Sequence, residues 1–329
     1  MGTVKKTINH KRGFTDRIFL IFFILYINLL YDIFMKIIDA HHHTWDLSVF
    51  PYSWMDDPHP IGDISSIKKN YVIDDLLVDA KDLNLIKSVH VQCGGGNNSP
   101  VEETQWLQSL ADKEESKGFP HGFVAYSDFL SANAEKEIEM HCEYKNTRGI
   151  RYLLNYIEGD PVNSFAPKEV MLDKIFQTNY SLLSKYNLSF DMHLWWTQYD
   201  YALNLIKTNN NILNIINHSG TPRKRDSDYL TNWRNGLKRL AEPSNVVIKI
   251  SGLGMFDQQW TTESIRPLVM DCIEIFGVDR SFFSTNFPVD KIFSSYKKVW
   301  DAYFEITKNF SENEKEKLFF KNAEKYYQI

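Results

Sequence analysis

The sequence predicts an α/β fold: a single (β/α)8 barrel of the TIM type with an extra C-terminal helix. Three observations lead there. After Met35, short β-branched or aromatic runs alternate with longer helix-patterned stretches, the signature of repeated βα units on a parallel sheet. Eight such runs can be counted. Polar residues concentrate where those runs end, and barrels of this kind build their sites from strand ends and the loops that follow.

The strands are expected at residues 36–42, 88–93, 122–126, 149–153, 188–194, 212–218, 246–251 and 282–285. Amphipathic periodicity places helices at 101–117, 132–141, 168–186, 229–240 and 262–276. Residues 311–327, with Leu318, Phe319 and Phe320 among mixed Glu and Lys, read as a terminal helix packed on the barrel. No intervening stretch is long enough for a second domain, and no repeat shorter than the βα unit is present. With 329 residues, 43% of them hydrophobic, the chain can bury a large core without disulfides or a structural metal.

A formal net charge of -5 gives no global field for nucleic acid, so a small-molecule substrate is the expected partner. A homo-oligomer is compatible with the composition. Cys93, Cys142 and Cys272 lie far apart in no metal-finger spacing, which suits reduced thiols and a cytoplasmic setting. Residues 1–34 form an N-terminal extension. Its apolar run at 18–30 follows Lys5, Lys6, Lys11, Arg12 and Arg17, so a membrane is a partner only if 18–34 acts as an anchor. The run is shorter than the ~20 residues that comfortably span a bilayer. Met35 stands directly before the first strand, and the extension is expected to be dispensable to the domain at 35–329.

The first strand ends Asp39-Ala40-His41-His42-His43-Thr44-Trp45. A period of two puts Asp39, His41 and His43 on one side and turns His42 away. Two neutral imidazoles one residue apart at a strand end can grip one divalent ion. His193, sharing a face with Asp191, ends the fifth strand, and His218 ends the sixth in Asn217-His218-Ser219-Gly220. Convergence of histidines from separate strands is what a metal or general-base site requires. Arg148 and Arg151 on the fourth strand invite an anionic partner such as a substrate carboxylate. Lys249, among apolar residues of the seventh strand, needs a carboxylate or the substrate as a partner, because an unpaired buried ammonium is costly. Trp45, Trp54, Trp195 and Trp196 are candidates for pocket walls.

Several ordered blocks together resemble the amidohydrolase superfamily, in its amidohydrolase-related group, which includes sugar-lactone lactonases and 2-pyrone-4,6-dicarboxylate lactonase. They are Ile38-Asp39-Ala40-His41-His42-His43-Thr44-Trp45, Arg148-Gly149-Ile150-Arg151, Asn217-His218-Ser219-Gly220-Thr221-Pro222, Lys249-Ile250-Ser251-Gly252-Leu253-Gly254 and Ser284-Thr285-Asn286-Phe287-Pro288-Val289-Asp290. The resemblance implies a hydrolase opening a small lactone or cyclic ester. His41 and His43 would be metal-binding or carbonyl-polarising residues; with His193 added they would hold a divalent ion, Zn2+ by preference, although the group also accommodates metal-independent centres. His218 would act on the oxyanion or shuttle a proton, while Arg148, Arg151, Trp45 and Lys249 would contact the substrate. One position departs from the pattern. The strand-eight aspartate that serves as general base in the superfamily is Asn286 here, and an amide does not take up a proton near neutral pH. Asp290 reaches the site only if the loop folds back. Asn286 then orients water while a metal-bound hydroxide, a histidine or Asp290 is the base. The same residues also admit a decarboxylase of a small unsaturated or aromatic acid, and a barrel that binds a small molecule without turning it over.

Overall fold

The computed structural model describes residues 35–329; the extension at 1–34, with its apolar run, lies outside the described residues. The expected runs become eight strands: β1 Lys36–His42, β2 Asn84–Val91, β3 Gly122–Ala125, β4 Thr147–Leu153, β5 Ser189–His193, β6 Asn214–Ile216, β7 Val246–Ile250 and β8 Ser281–Phe283. They lie in chain order in one parallel sheet. Beyond β8 the chain returns to β1: Asn286 N donates to His41 O at 2.8 Å and His43 N to Phe287 O at 2.7 Å. The sheet thus closes on itself as a (β/α)8 barrel.

Among the described residues, eight helices precede the C-terminal helical segment and surround the barrel: α1 Ile73–Asp79, α2 Val101–Ala111, α3 Ala134–Cys142, α4 Lys174–Ser181, α5 Tyr199–Thr208, α6 Ser227–Leu240, α7 Thr262–Phe276 and α8 Tyr296–Ile306. Periodicity alone overlooks α1, α5 and α8 and overextends α2 and α4. Helix α4 starts late because Asp173 caps it, accepting hydrogen bonds from the amides of Ile175 and Phe176. Helix α2 stops at Ala111, and a short 3-10 turn, Glu114–Ser116, follows. Among the described residues no helix is long and apolar enough to cross a membrane.

Ile38, Ala40, Val89, Val91, Val124, Ile215, Val247 and Phe282, drawn from six strands, pack together inside the barrel. Their neighbours Ile37, Ile150, Phe190, Ile216, Ile248 and Phe283 face the helices. The interior cluster includes Tyr327, so the terminal helical segment, ending in Asn322–Tyr327, stops the barrel from below. The same segment presses Phe319 flat on Phe304 with ring centroids 4.5 Å apart.

Strand β1 departs from simple alternation. Asp39 lies opposite Ser88 and His42 opposite His90, so three steps on β1 match two on β2. This one-residue bulge changes which side chains face inward. Ile38 and Ala40 line the lower interior, and His41 and His43 continue it above. Asp39 does not share their side: it accepts hydrogen bonds from Thr285 N and from Tyr296 Oη of α8, both at 3.0 Å. The expected pairing of Asp39 with the two histidines is therefore corrected, while His42 does turn away and meets Ser88 at 2.9 Å.

The terminal segment is integral to the barrel on this packing. Phe319→Ala is expected to destabilise the protein by about 3–5 kcal/mol, the range for emptying a buried aromatic site. Urea unfolding measures it, and a loss near zero would mean that the segment is only draped on the surface.

Candidate active site

The C-terminal strand ends hold four imidazoles in a row. The His41 ring lies 5.0 Å from His43 and 4.4 Å from His218, and His218 lies 5.0 Å from His193. His218 sits where β6 breaks into a left-handed turn, with φ of 51° at His218, 56° at Ser219 and 53° at Thr221. Non-glycine residues adopt this region at a cost, and such strain gathers at functional sites. The ring is held by Ser251 Oγ, 3.0 Å from Nδ1. Gly252 makes room for it, because a Cβ there would stand 2.7 Å from that nitrogen.

Burial is the main reason all four rings are held neutral: it drives His41, His43 and His218 well below the usual histidine range and His193 down to about 3. Neutral rings have a definite donor and acceptor side. His43 Nδ1 is 2.7 Å from the Val91 carbonyl and must carry its proton there, leaving a lone pair on Nε2. That lone pair stands 3.2 Å from Asn286 Oδ1. Asn286 Nδ2 in turn donates to Asp290 Oδ2 at 2.7 Å, which turns the amide oxygen toward His43. The loop does fold back, through a 3-10 turn at Val289–Ile292, but it brings Asp290 behind Asn286 and outside the cavity lining. Burial there pushes the Asp290 carboxyl up to about 7.

The cavity above these groups encloses about 760 Å³ with its open mouth. His43, His193, His218, Arg151, Asn286 and Trp45 all line it, whereas His41 is fully buried just behind His43 and His218, outside the lining. Arg151 is buried, with one guanidinium nitrogen on the Gln92 carbonyl and Nε without a partner. Burial lowers it only to about 10, so it remains a cation. Trp54, His59, Phe165 and Met255 complete the walls. His59 and Phe165 escaped the sequence reading because their loops declare no motif; only the fold brings their rings to 6.0 Å from one another. Trp195 lies under the Arg223 guanidinium at 5.0 Å rather than on the lining.

Two expected substrate contacts are placed elsewhere. Arg148 opens β4, three residues before Arg151 and therefore on the other face, at the opposite end of the barrel. Its Nε donates to Gln328 O at 3.1 Å and another nitrogen to Lys145 O at 2.6 Å. Lys249 is fully buried beneath the histidines, where it pairs with Asp191 at 2.7 Å. The residues named for a metal do not fit one as a set. His193 neighbours His218 and not the His41–His43 pair, and His41 Nδ1 faces the Lys249 ammonium at 3.4 Å. Among the described residues, the His, Cys and acidic ligand atoms that converge in a group of three are those of His90, Cys93 and Glu103. Their hydrogen bonds are already used. Thr44 N donates to His90 Nδ1 at 3.1 Å, so Nε2 carries the proton toward Glu103, which also accepts from Cys93 N and Cys93 Sγ, each at 3.0 Å.

This arrangement can be set beside known proteins. The sequence profile of the amidohydrolase family matches residues 38–329. The chain belongs to the amidohydrolase family. An uncharacterised protein of Sinorhizobium fredii, y4mH, is 41% identical to this amidohydrolase over 90% of the chain and 99% of its own length. An L-fucono-1,5-lactonase of Burkholderia multivorans is 25% identical, covering 80% of this chain and 85% of its own. An amidohydrolase of Burkholderia multivorans, solved with bound zinc, superposes with a TM-score of 0.74 at 22% identity over 89% of this chain and 99% of that one.

The raised Asp290 carboxyl makes a pH test available. A folded-state value of about 7 against an ordinary 3.8 means that the fold disfavours the anion, so this group's penalty grows as pH rises from about 4 and is complete above about 7. Asp290→Asn keeps an acceptor for Asn286 and removes the titration. Urea unfolding at several pH values is expected to show the variant gaining on the parent as pH rises through that window; a constant difference would refute the shift.

Proposed function

We propose that this amidohydrolase opens a small hydroxylated lactone without a resident metal. The observation that carries the reading is the pair of acceptors, His43 Nε2 and Asn286 Oδ1, 3.2 Å apart on a cavity that also presents the buried cation Arg151. A water can donate one hydrogen to each and keep a lone pair for attack. The similarity to an L-fucono-1,5-lactonase supports a ring ester as substrate.

In this reading the lactone carbonyl enters between His43 and His218, toward the His41 ring just behind them, and Trp45 and Trp54 flank the lactone ring. Water adds to the carbonyl carbon as its proton passes to His43 Nε2. The resulting imidazolium keeps its Nδ1–H on the Val91 carbonyl and points its new N–H at Asn286 Oδ1, backed by Asp290. Collapse of the tetrahedral oxyanion breaks the ring C–O bond, and His43 returns the proton to the leaving oxygen. The product is a hydroxy acid; its carboxyl proton leaves to solvent and the carboxylate faces Arg151.

Purified protein is therefore expected to release acid from sugar lactones in a pH-indicator assay, with or without a chelator. His43→Gln should lower kcat by about a hundredfold or more, the scale of a lost general base. Arg151→Ala should raise KM, whereas Arg148→Ala should leave both constants unchanged. Carbon dioxide released from an unsaturated acid, or ligand-dependent thermal stabilisation without product, would replace the lactonase reading; activity lost on chelation would overturn its metal-free form.

A further inference from the structure

Beneath the cavity lies a polar group that the proposed chemistry does not use. Asp191 is wholly buried and accepts every hydrogen bond it makes: from Asn217 Nδ2 at 2.8 Å, from Lys249 Nζ at 2.7 Å and from Tyr327 Oη at 2.9 Å. An acceptor surrounded only by donors is a carboxylate, and Lys249 beside it is an ammonium. An ammonium has hydrogens to give and no lone pair. Its other partner is His41 Nδ1, at 3.4 Å. The opposite nitrogen, His41 Nε2, is buried and has no partner in the protein.

We infer that Lys249 is a positioning residue: anchored on Asp191, it donates to His41 Nδ1 and so confines the ring proton to Nε2, where an N–H donor awaits the substrate carbonyl oxygen. His43 and His41 then hold opposite roles although they lie two residues apart. The Val91 carbonyl puts the His43 proton on Nδ1 and leaves Nε2 an acceptor for water; the Lys249 ammonium does the reverse to His41 and leaves Nε2 a donor for the oxyanion. A nitrogen that carries a proton offers no lone pair to a cation, which is why His41 and His43 do not form a symmetrical metal-gripping pair. Tyr327 extends the arrangement to the last turn of the chain, since its hydroxyl holds the far side of the same carboxylate.

The inference rests on the lactonase reading for its substrate, but its test does not need turnover. Two-bond 1H–15N correlation spectra of histidine-labelled protein, with His41→Gln for assignment, are expected to show His41 protonated at Nε2 with a hydrogen-bonded Nδ1. Zn2+ added in excess should leave those signals in place. The double variant Asp191→Asn/Lys249→Met removes both buried charges together, and its His41 Nδ1 resonance should move toward that of a free imidazole acceptor. With lactone, the same variant should lose about a hundredfold in kcat with little change in KM, as for a weakened oxyanion donor. A proton on Nδ1 in the parent, a Zn2+-induced shift of His41, or an unchanged Nδ1 signal in the folded double variant would overturn the inference. Should the variant not fold, the parent spectrum decides alone. The expected tautomer in a protein that opens no lactone would refute the substrate reading and leave the role of Lys249 standing.

Discussion

A carboxylate cannot be left charged and unpaired in the middle of a barrel, and much of this structure is arranged around meeting that requirement for Asp191. Its partners come from β7 in Lys249, from the end of β6 in Asn217 and from the last helical turn in Tyr327. Ion pairs of this depth are weak sources of net stability, because desolvating both charges costs about what their attraction returns. Their value lies in discrimination: any arrangement that removes one partner strands the other. The pair thus ties the strand register of β5 to that of β7, and it makes the chain terminus part of the support for the histidines above.

On β1 the inward side chains change from apolar Ile38 and Ala40 to the polar His41 and His43, and the bulge is the point of transition. Without the extra residue between Asp39 and His42, strict alternation from Ile38 and Ala40 would send His42 inward and His41 and His43 out to the helices. The bulge keeps both demands. Asp39 is thereby free to work outside the barrel, bonding Thr285 and Tyr296 and so fastening β1 to the segment that follows β8. The seam that closes the barrel is also the one that carries Asn286 to His43.

How far this was legible in the sequence depends on what each feature requires. The eight strands, the histidine-bearing strand ends and the Arg151 position follow from local pattern, because a βα repeat announces itself every few tens of residues. Helix α1 spans only seven residues, and periodicity has little to act on over about two turns. Unbroken alternation misplaces Asp39, because the bulge depends on the partner strand and leaves no mark in β1 itself. Arg148 shares a motif with Arg151, and the motif says nothing about the opposite faces that three residues of strand impose. His59 and Phe165 belong to loops whose meeting is a consequence of the closed barrel, so no reading of either loop alone would have joined them.

Under the proposed mechanism, the amide at residue 286 leaves the role of base to His43. A carboxylate there would place an anion 3 Å or so from the neutral His43 ring and draw the proton to Nε2, removing the lone pair that water needs. An amide oxygen accepts a hydrogen bond as well but pulls less strongly, so His43 stays neutral until chemistry delivers a proton. The carboxyl group stands one step back at Asp290, screened from the cavity by Asn286 and fixed by it. Among the described residues that line the cavity, Arg151 is the one permanent cation, and no acidic side chain faces it there. A cavity with one cation and no anion on its walls suits a neutral or anionic molecule better than a cationic one, which is compatible with the proposed lactone opening.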